Sequence, residues 1–169
     1  LIDASTMTGD LTVTAYNAGM TVKGGAGNDT LSVFGAKSGV VLTGGAGTDT
    51  FDVSAFNANA NAGSAVTITD LTAGETIQFA DAALFVSSKI TLISEATFTE
   101  YVAEAAKVAK DAGTGNNISW FQFNNNTFAV QDMDASGTFN TGDIIVKING
   151  VKDLSTASFN ATDDTLVIA

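Results

Sequence analysis

The chain has 169 residues, with eighteen acids against seven bases, every base a lysine, and a formal net charge of −11; it holds neither cysteine nor histidine. That composition removes disulfides, thiolate zinc sites, cysteine nucleophiles and the commonest general base, and no motif gathers the remaining carboxylates, lysines and hydroxyls, so a non-catalytic protein is expected. So acidic a chain repels phosphate backbones and anionic lipid and favours cations as partners, which argues against nucleic acid. No apolar run approaches the roughly 18 residues of a membrane span, so membrane insertion is not expected either.

Because the sequence opens at Leu1 with no basic-then-apolar leader, it reads as a processed C-terminal piece of a larger protein whose export address lies elsewhere. Internal repetition begins at once. Leu11-Thr12-Val13-Thr14-Ala15, Leu31-Ser32-Val33-Phe34-Gly35 and Phe51-Asp52-Val53-Ser54-Ala55 align at an offset of twenty residues. Between them Met20-Thr21-Val22 aligns with Val40-Val41-Leu42 in the same register. Each unit reads as a glycine-rich turn, a short alternating strand, a second turn and another strand. Such a unit cannot bury its apolar side chains alone, but stacked units share a continuous core. Leu11, Val13, Leu31, Val33, Phe51 and Val53 are expected to line one wall, with Met20, Val22, Val40 and Leu42 on the other.

The chemistry lies in the two glycine-rich segments, Gly24-Gly25-Ala26-Gly27-Asn28-Asp29-Thr30-Leu31-Ser32 and Gly44-Gly45-Ala46-Gly47-Thr48-Asp49-Thr50-Phe51-Asp52. Glycines open backbone conformations that turn several carbonyls toward one point, and a hard cation needs about six to eight oxygens. Both segments fit G-G-x-G-x-D-x-U-x and resemble the calcium-binding nonapeptide of the RTX proteins. The resemblance implies one Ca2+ between the stacked turns, held by the Asp29 and Asp49 carboxylates and by carbonyls of Gly24, Ala26, Gly45 and Gly47. The opposite turns, at Asn17-Ala18 and Ala36-Lys37-Ser38, depart from the motif, so only one edge is expected to hold metal.

Residues 57–64 are small and polar and mark the end of the repeats. Strands are expected at 66–69 and 76–79, around Asp70-Leu71-Thr72-Ala73-Gly74-Glu75. That stretch resembles the segment that follows RTX repeats and closes the roll, covering an edge that would otherwise be sticky. A helix is expected over 98–112: Thr97 and Glu100 form a capping box, and Phe98, Tyr101, Val102, Ala105, Val108 and Ala109 make one apolar stripe. Four strands follow, at 118–123, 127–130, 144–148 and 165–168.

Between the second and third of these lies Asp132-Met133-Asp134-Ala135-Ser136-Gly137-Thr138-Phe139-Asn140-Thr141-Gly142-Asp143. Its acids, its central glycine and its closing acid follow the spacing of an EF-hand-like loop, here flanked by strands. A second calcium ion would take Asp132, Asp134, Ser136, the Thr138 carbonyl, Asn140 and Asp143. The same residue types also populate hairpin loops that bind nothing.

The expected fold is mainly β: a short parallel β-roll or β-solenoid of 20-residue coils over 1–64, then a β-rich capping region with one α-helix over 65–169. The tail Asp163-Asp164-Thr165-Leu166-Val167-Ile168-Ala169 resembles the extreme C-terminus of proteins exported by bacterial type I systems. Together the resemblances imply a secreted, cell-surface module that folds on calcium after passing its exporter. Low pI and abundant Thr, Ala, Asn and Gly resemble RTX-bearing surface-layer proteins, in which identical subunits assemble a lattice. The alternative is the terminal RTX module of a secreted protease, lipase, toxin or adhesin.

Overall fold

The computed structural model describes residues 1–35, 38–56 and 64–169; Ala36, Lys37 and residues 57–63, to which the sequence assigned a degenerate turn and the end of the repeats, lie outside the described residues. The period-2 alternation of β-branched and polar residues produces a first run of strands: β1 (Ile2–Asp3), β2 (Thr12–Ala15), β3 (Thr21–Ala26), β4 (Thr30–Gly35), β5 (Val41–Ala46), β6 (Thr50–Phe56), β7 (Val66–Ile68), β8 (Thr76–Gln78) and β9 (Ala82–Phe85). Helix α1 (Phe98–Asp111) follows, then β10 (Asn116–Phe123), β11 (Asn126–Gln131), β12 (Ile144–Asn149), β13 (Ser158–Asn160) and β14 (Thr165–Val167).

The fold is mainly β, with two sheets rich in parallel pairs and one helix. The chain alternates between the sheets, so odd-numbered strands up to β7 fall in one, ordered β1-β3-β5-β7-β12-β11-β10-β9, and even-numbered strands in the other, ordered β13-β14-β8-β6-β4-β2. Ile2 pairs with Val22 and Val22 with Leu42, each step being twenty residues; Leu31 pairs with Phe51 at the same interval. The first step of the second sheet is two residues shorter than the sequence alignment gave: Val13, not Leu11, lies opposite Leu31, and Ala15, not Val13, opposite Val33. The next step is longer: Leu42 pairs with Ile68 and Phe51 with Ile77, twenty-six residues on.

Inward positions follow the expected pattern. Val22, Val40 and Leu42 of one sheet and Leu31, Val33, Phe51 and Val53 of the other are closed to solvent in one apolar cluster, while Leu11, Val13 and Met20, near the first edge, are only partly covered. The strands expected at 66–69 and 76–79 do not pair with each other. They fall in different sheets and carry both ladders one step further, with β12 and β14 laid against their far sides. The ladders and the apolar cluster therefore run on through residue 64, with β5 paired to β7 and β6 to β8.

Helix α1 has the expected capping box, in which Thr97 Oγ1 accepts from Glu100 N while the Glu100 carboxylate accepts from Thr97 N. It buries Val102, Ala105, Ala106 and Ala109 against β10 and β11. Ser119 Oγ donates to Ala105 O and Asn117 Nδ2 to Ala109 O, at 2.8 Å each, so the buried polar groups of β10 anchor to helix carbonyls. This helix–hairpin pair fixes the base of the 132–143 loop.

Candidate metal sites

The first pair of glycines in each nonapeptide lies in strand rather than in a turn: Gly24 and Gly25 belong to β3, Gly44 and Gly45 to β5, with Gly25 opposite Gly45 and Ala26 opposite Ala46. The missing side chains let the two levels stack backbone on backbone. A Cβ at Gly45 would sit 2.1 Å from Gly25 O, one at Gly47 2.1 Å from Gly27 O, and one at Gly24 2.3 Å from Gly44 O. Gly45 and Gly47 also hold φ of +111° and +129°, which L side chains rarely adopt.

Asp29 and Asp49 come to the same edge, both buried among polar backbone. Asp29 is fully engaged, with Oδ1 accepting from Leu11 N at 2.9 Å and Oδ2 from Gly25 N at 2.8 Å. Asp49 Oδ1 accepts from Asp29 N at 2.8 Å, while Oδ2, which overhangs Gly44, has no hydrogen-bond partner. Burial pushes the Asp49 carboxyl above its ordinary value, and the neighbouring Asp29 and Asp70 charges add to the rise. Of the expected carbonyl contributors, Gly45 and Ala26 stand within the paired strands and Gly24 and Gly47 beside Gly44 and Gly27 of the neighbouring level.

Two acids at this edge had no place in the motif. Asp70 accepts from Gly44 N at 3.0 Å and from Gly45 N at 2.9 Å, and Glu75, buried, accepts from Thr72 N at 2.6 Å. Thr50 pairs with Thr76, so Glu75 occupies the level after Asp49. The signal was Asp49-Thr50-Phe51 matched by Glu75-Thr76-Ile77, obscured because this step is six residues longer than the one before.

The second group is assembled by a hairpin. Gln131 of β11 pairs with Ile144 of β12, leaving 132–143 as the connection. Asp132, Asp134 and Asp143 each bring a carboxylate oxygen to within 4.8 Å of the other two. The remaining expected ligands join them: Asn140 Nδ2 donates to Asp134 Oδ2 at 3.0 Å, to Thr138 O at 3.0 Å and to Ser136 Oγ at 3.2 Å. Gly137, at φ +75°, turns the loop where a Cβ would lie 2.7 Å from Lys110 Cδ of the helix.

Backbone amides hold the buried acids in place. Asp132 accepts from Ser136 N and Gly137 N, and Asp143 accepts from Met133 N at 2.9 Å and Asn140 N at 2.7 Å. Burial outweighs those amides and carries Asp143 up to about 6, with Asp132 and Asp134 reinforcing the shift. Asp132 is raised as well, mainly by burial. Asp134, at the surface, is held at about 2 by Ser136 and Asn140.

No family model matches this chain, and no curated protein matches it. Its chemistry is therefore read from the two acidic groups. The 132–143 oxygens fit a hard cation: three carboxylates, a hydroxyl and a carbonyl converge, and the electropositive amide nitrogen of Asn140 stands among three of them. For Asn140 to ligate, its amide turns over to present Oδ1 and vacates that position.

Proposed function

We propose that this chain is a calcium-binding module that orders on calcium, built as a short parallel β-roll of the RTX kind and working by binding rather than catalysis. The observation that carries the reading is the 132–143 loop, whose Asp132, Asp134 and Asp143 oxygens lie within 4.8 Å of one another. The repeat register supports the roll, since β1 with β3, β3 with β5 and β4 with β6 pair at twenty residues and bring Asp29 and Asp49 to one edge.

Extracellular calcium modules bind at roughly 10⁻⁴ to 10⁻³ M, above cytosolic free calcium, so the sites fill only outside a cell. A cation bound by the folded state alone stabilises it by mass action, about 2.7 kcal/mol at one hundred times Kd. The nonapeptides and the acidic-then-apolar tail support a secreted bacterial protein that passes a type I exporter. The composition supports a role at the cell surface, in a lattice of identical subunits.

Calcium titration followed by circular dichroism and calorimetry tests the reading, with Asp132→Asn/Asp143→Asn beside the unaltered chain. Binding heat and a gain of β signal or stability with calcium, reduced in the double variant, are the expected result. A chain with the same signal and unfolding temperature in chelator and in millimolar calcium would refute it.

A further inference from the structure

Sheet register sets three unlike side chains in one row. Lys147 of β12 lies opposite Phe128 of β11 on one side and Thr67 of β7 on the other, so the three stand on the same face of neighbouring strands. Helix α1 packs over β10 and β11 and brings the Phe98 ring to that face, its centroid 4.9 Å from that of Phe128 and 5.5 Å from that of Phe123. Beside the start of the helix the face opens into a cavity of about 430 Å³, lined by these three rings, Lys147, Thr67 and, from the hairpin turn, Asn124 and Asn126.

The walls differ in chemistry. Phe128 is closed to solvent, but Phe98 and Phe123 are only partly covered and leave apolar ring surface at the cavity. Asn124 and Asn125, at φ of +46° and +59°, make the two-residue turn that joins Phe123 to Asn126, a short connection that fixes both strands. Asn126 Nδ2 donates to Asn124 O at 2.8 Å, which leaves Asn126 Oδ1 to accept from a ligand. Lys147 is the only charged residue lining the cavity, and the ion pairs among the described residues belong to Lys23 and Lys107 instead. In a chain with eighteen acids, a cavity with one cation and no carboxylate favours an anion. The net negative charge opposes any anion at long range, but salt screens it beyond about 8 Å.

We infer that this cavity binds an acidic sugar, a pyranose carrying a carboxylate. The C–H face of the ring rests on Phe98 and Phe123, since polarised C–H groups are drawn to the negative face of an aromatic ring. A hydroxyl donates to Asn126 Oδ1, and the carboxylate meets the Lys147 ammonium. Small-ligand sites combine an apolar wall with a few placed polar groups in about 300 to 1,000 Å³, and this cavity has both. The inference goes beyond the calcium reading, because none of the lining residues belongs to either nonapeptide or to the 132–143 loop.

Heteronuclear NMR and calorimetry on the full chain in millimolar calcium test it, with the methyl glycosides of glucuronate, galacturonate and N-acetylneuraminate as probes. Methyl glucoside, in which a hydroxymethyl group replaces the carboxylate, and cyclohexanecarboxylate, which keeps ring and charge but has no hydroxyl, are the comparison compounds. At least one acidic glycoside is expected to give saturable shifts at Phe98, Phe123, Asn126 and Lys147, and to bind on the order of tenfold more tightly than either comparison compound. Lys147→Met keeps the stem and removes the charge; it is expected to lose on the order of tenfold for the acidic glycoside and nothing for the glucoside. Phe123→Leu weakens both sugars by about two- to tenfold, whereas Lys107→Met, outside the cavity, changes neither.

No saturable shift at these residues from any of the three acidic glycosides overturns the inference. Equal affinity for the glucoside removes the role of the charge, and equal affinity for cyclohexanecarboxylate removes the sugar; either overturns it. Equal losses in Lys107→Met and Lys147→Met trace binding to net charge rather than to this cavity, and overturn it as well. Should Lys147→Met fail to fold, Lys147→Gln, with an uncharged polar end, is measured in its place against the same expectation.

Discussion

Asp143 shows how burial and hydrogen bonding compete at one side chain. Two amides favour its charged form, yet removal from water dominates and lifts it from 3.8 to about 6. Between those values the folded, cation-free chain holds a proton that the unfolded chain has released. Stability contributed by this residue therefore falls as pH rises through the window and is fully lost above about 6. Denaturant unfolding in chelator checks the sign. From pH 4.5 to pH 7 the unaltered chain is expected to lose about 2 kcal/mol relative to Asp143→Asn, which has no carboxyl to titrate. A constant difference between the two proteins across that range would show that the carboxyl does not titrate there. Calcium needs the charged form, so its affinity is expected to fall as pH drops below the same window.

At the scale of strands, the spacing between levels is set by glycine backbones. Gly47 combines φ of +129° with a Cβ position 2.1 Å from Gly27 O, a backbone atom that cannot swing away. Gly74, at φ +90°, has nothing within 4 Å of that position. Gly47→Ala is expected to cost about 2 to 4 kcal/mol, from backbone strain and overpacking together, while Gly74→Ala costs about 1 kcal/mol from strain alone. Thermal unfolding of the two variants reads the difference directly, and equal losses would show that the stacking contact carries no energy.

These elements also mark what was legible in the sequence. The twenty-residue step between the two glycine nonapeptides, the capped helix and the flanks of the 132–143 loop follow from local pattern, whereas the first step of the second sheet is eighteen residues, Val13 lying opposite Leu31 where the alignment had set Leu11. The convergence of Asp134, Ser136, Thr138 and Asn140 was legible for the same reason: the whole group lies in one hairpin connection. The partners of 66–69 and 76–79 were not, because a longer step breaks the register just where Glu75 replaces an aspartate. Nor did local pattern reveal β9, whose pairing to β10 is parallel and distant, or the glycines' place in strand, which depends on backbone approach from the next level.

Across the whole molecule, charge opposes compaction. Eighteen acids against seven lysines, with Asp29, Asp49 and Glu75 gathered at one buried edge and Asp132 and Asp143 in the loop, make the cation-free state self-repelling. Simple monovalent salt screens such repulsion over about 8 to 10 Å. The unfolding temperature in chelator is expected to rise with sodium chloride and to show less salt dependence once calcium is present. A salt response that calcium leaves unaltered would place the repulsion elsewhere on the surface.

The pairing intervals also set an order of events. Ladders among the first six strands join residues eighteen to twenty apart, but β7 finds its second neighbour only when Val66 meets Val146, eighty residues along the chain. Quadrupling the separation adds about 1.2 kcal/mol of loop-closure entropy before any contact forms, and distant pairing is slow. The first seven strands can therefore be assembled while the sheet still ends at β7 with a bare edge. Until β12 arrives, that edge is open to any extended strand nearby, so the most aggregation-prone moment in this molecule's history is the interval between its two halves becoming ordered.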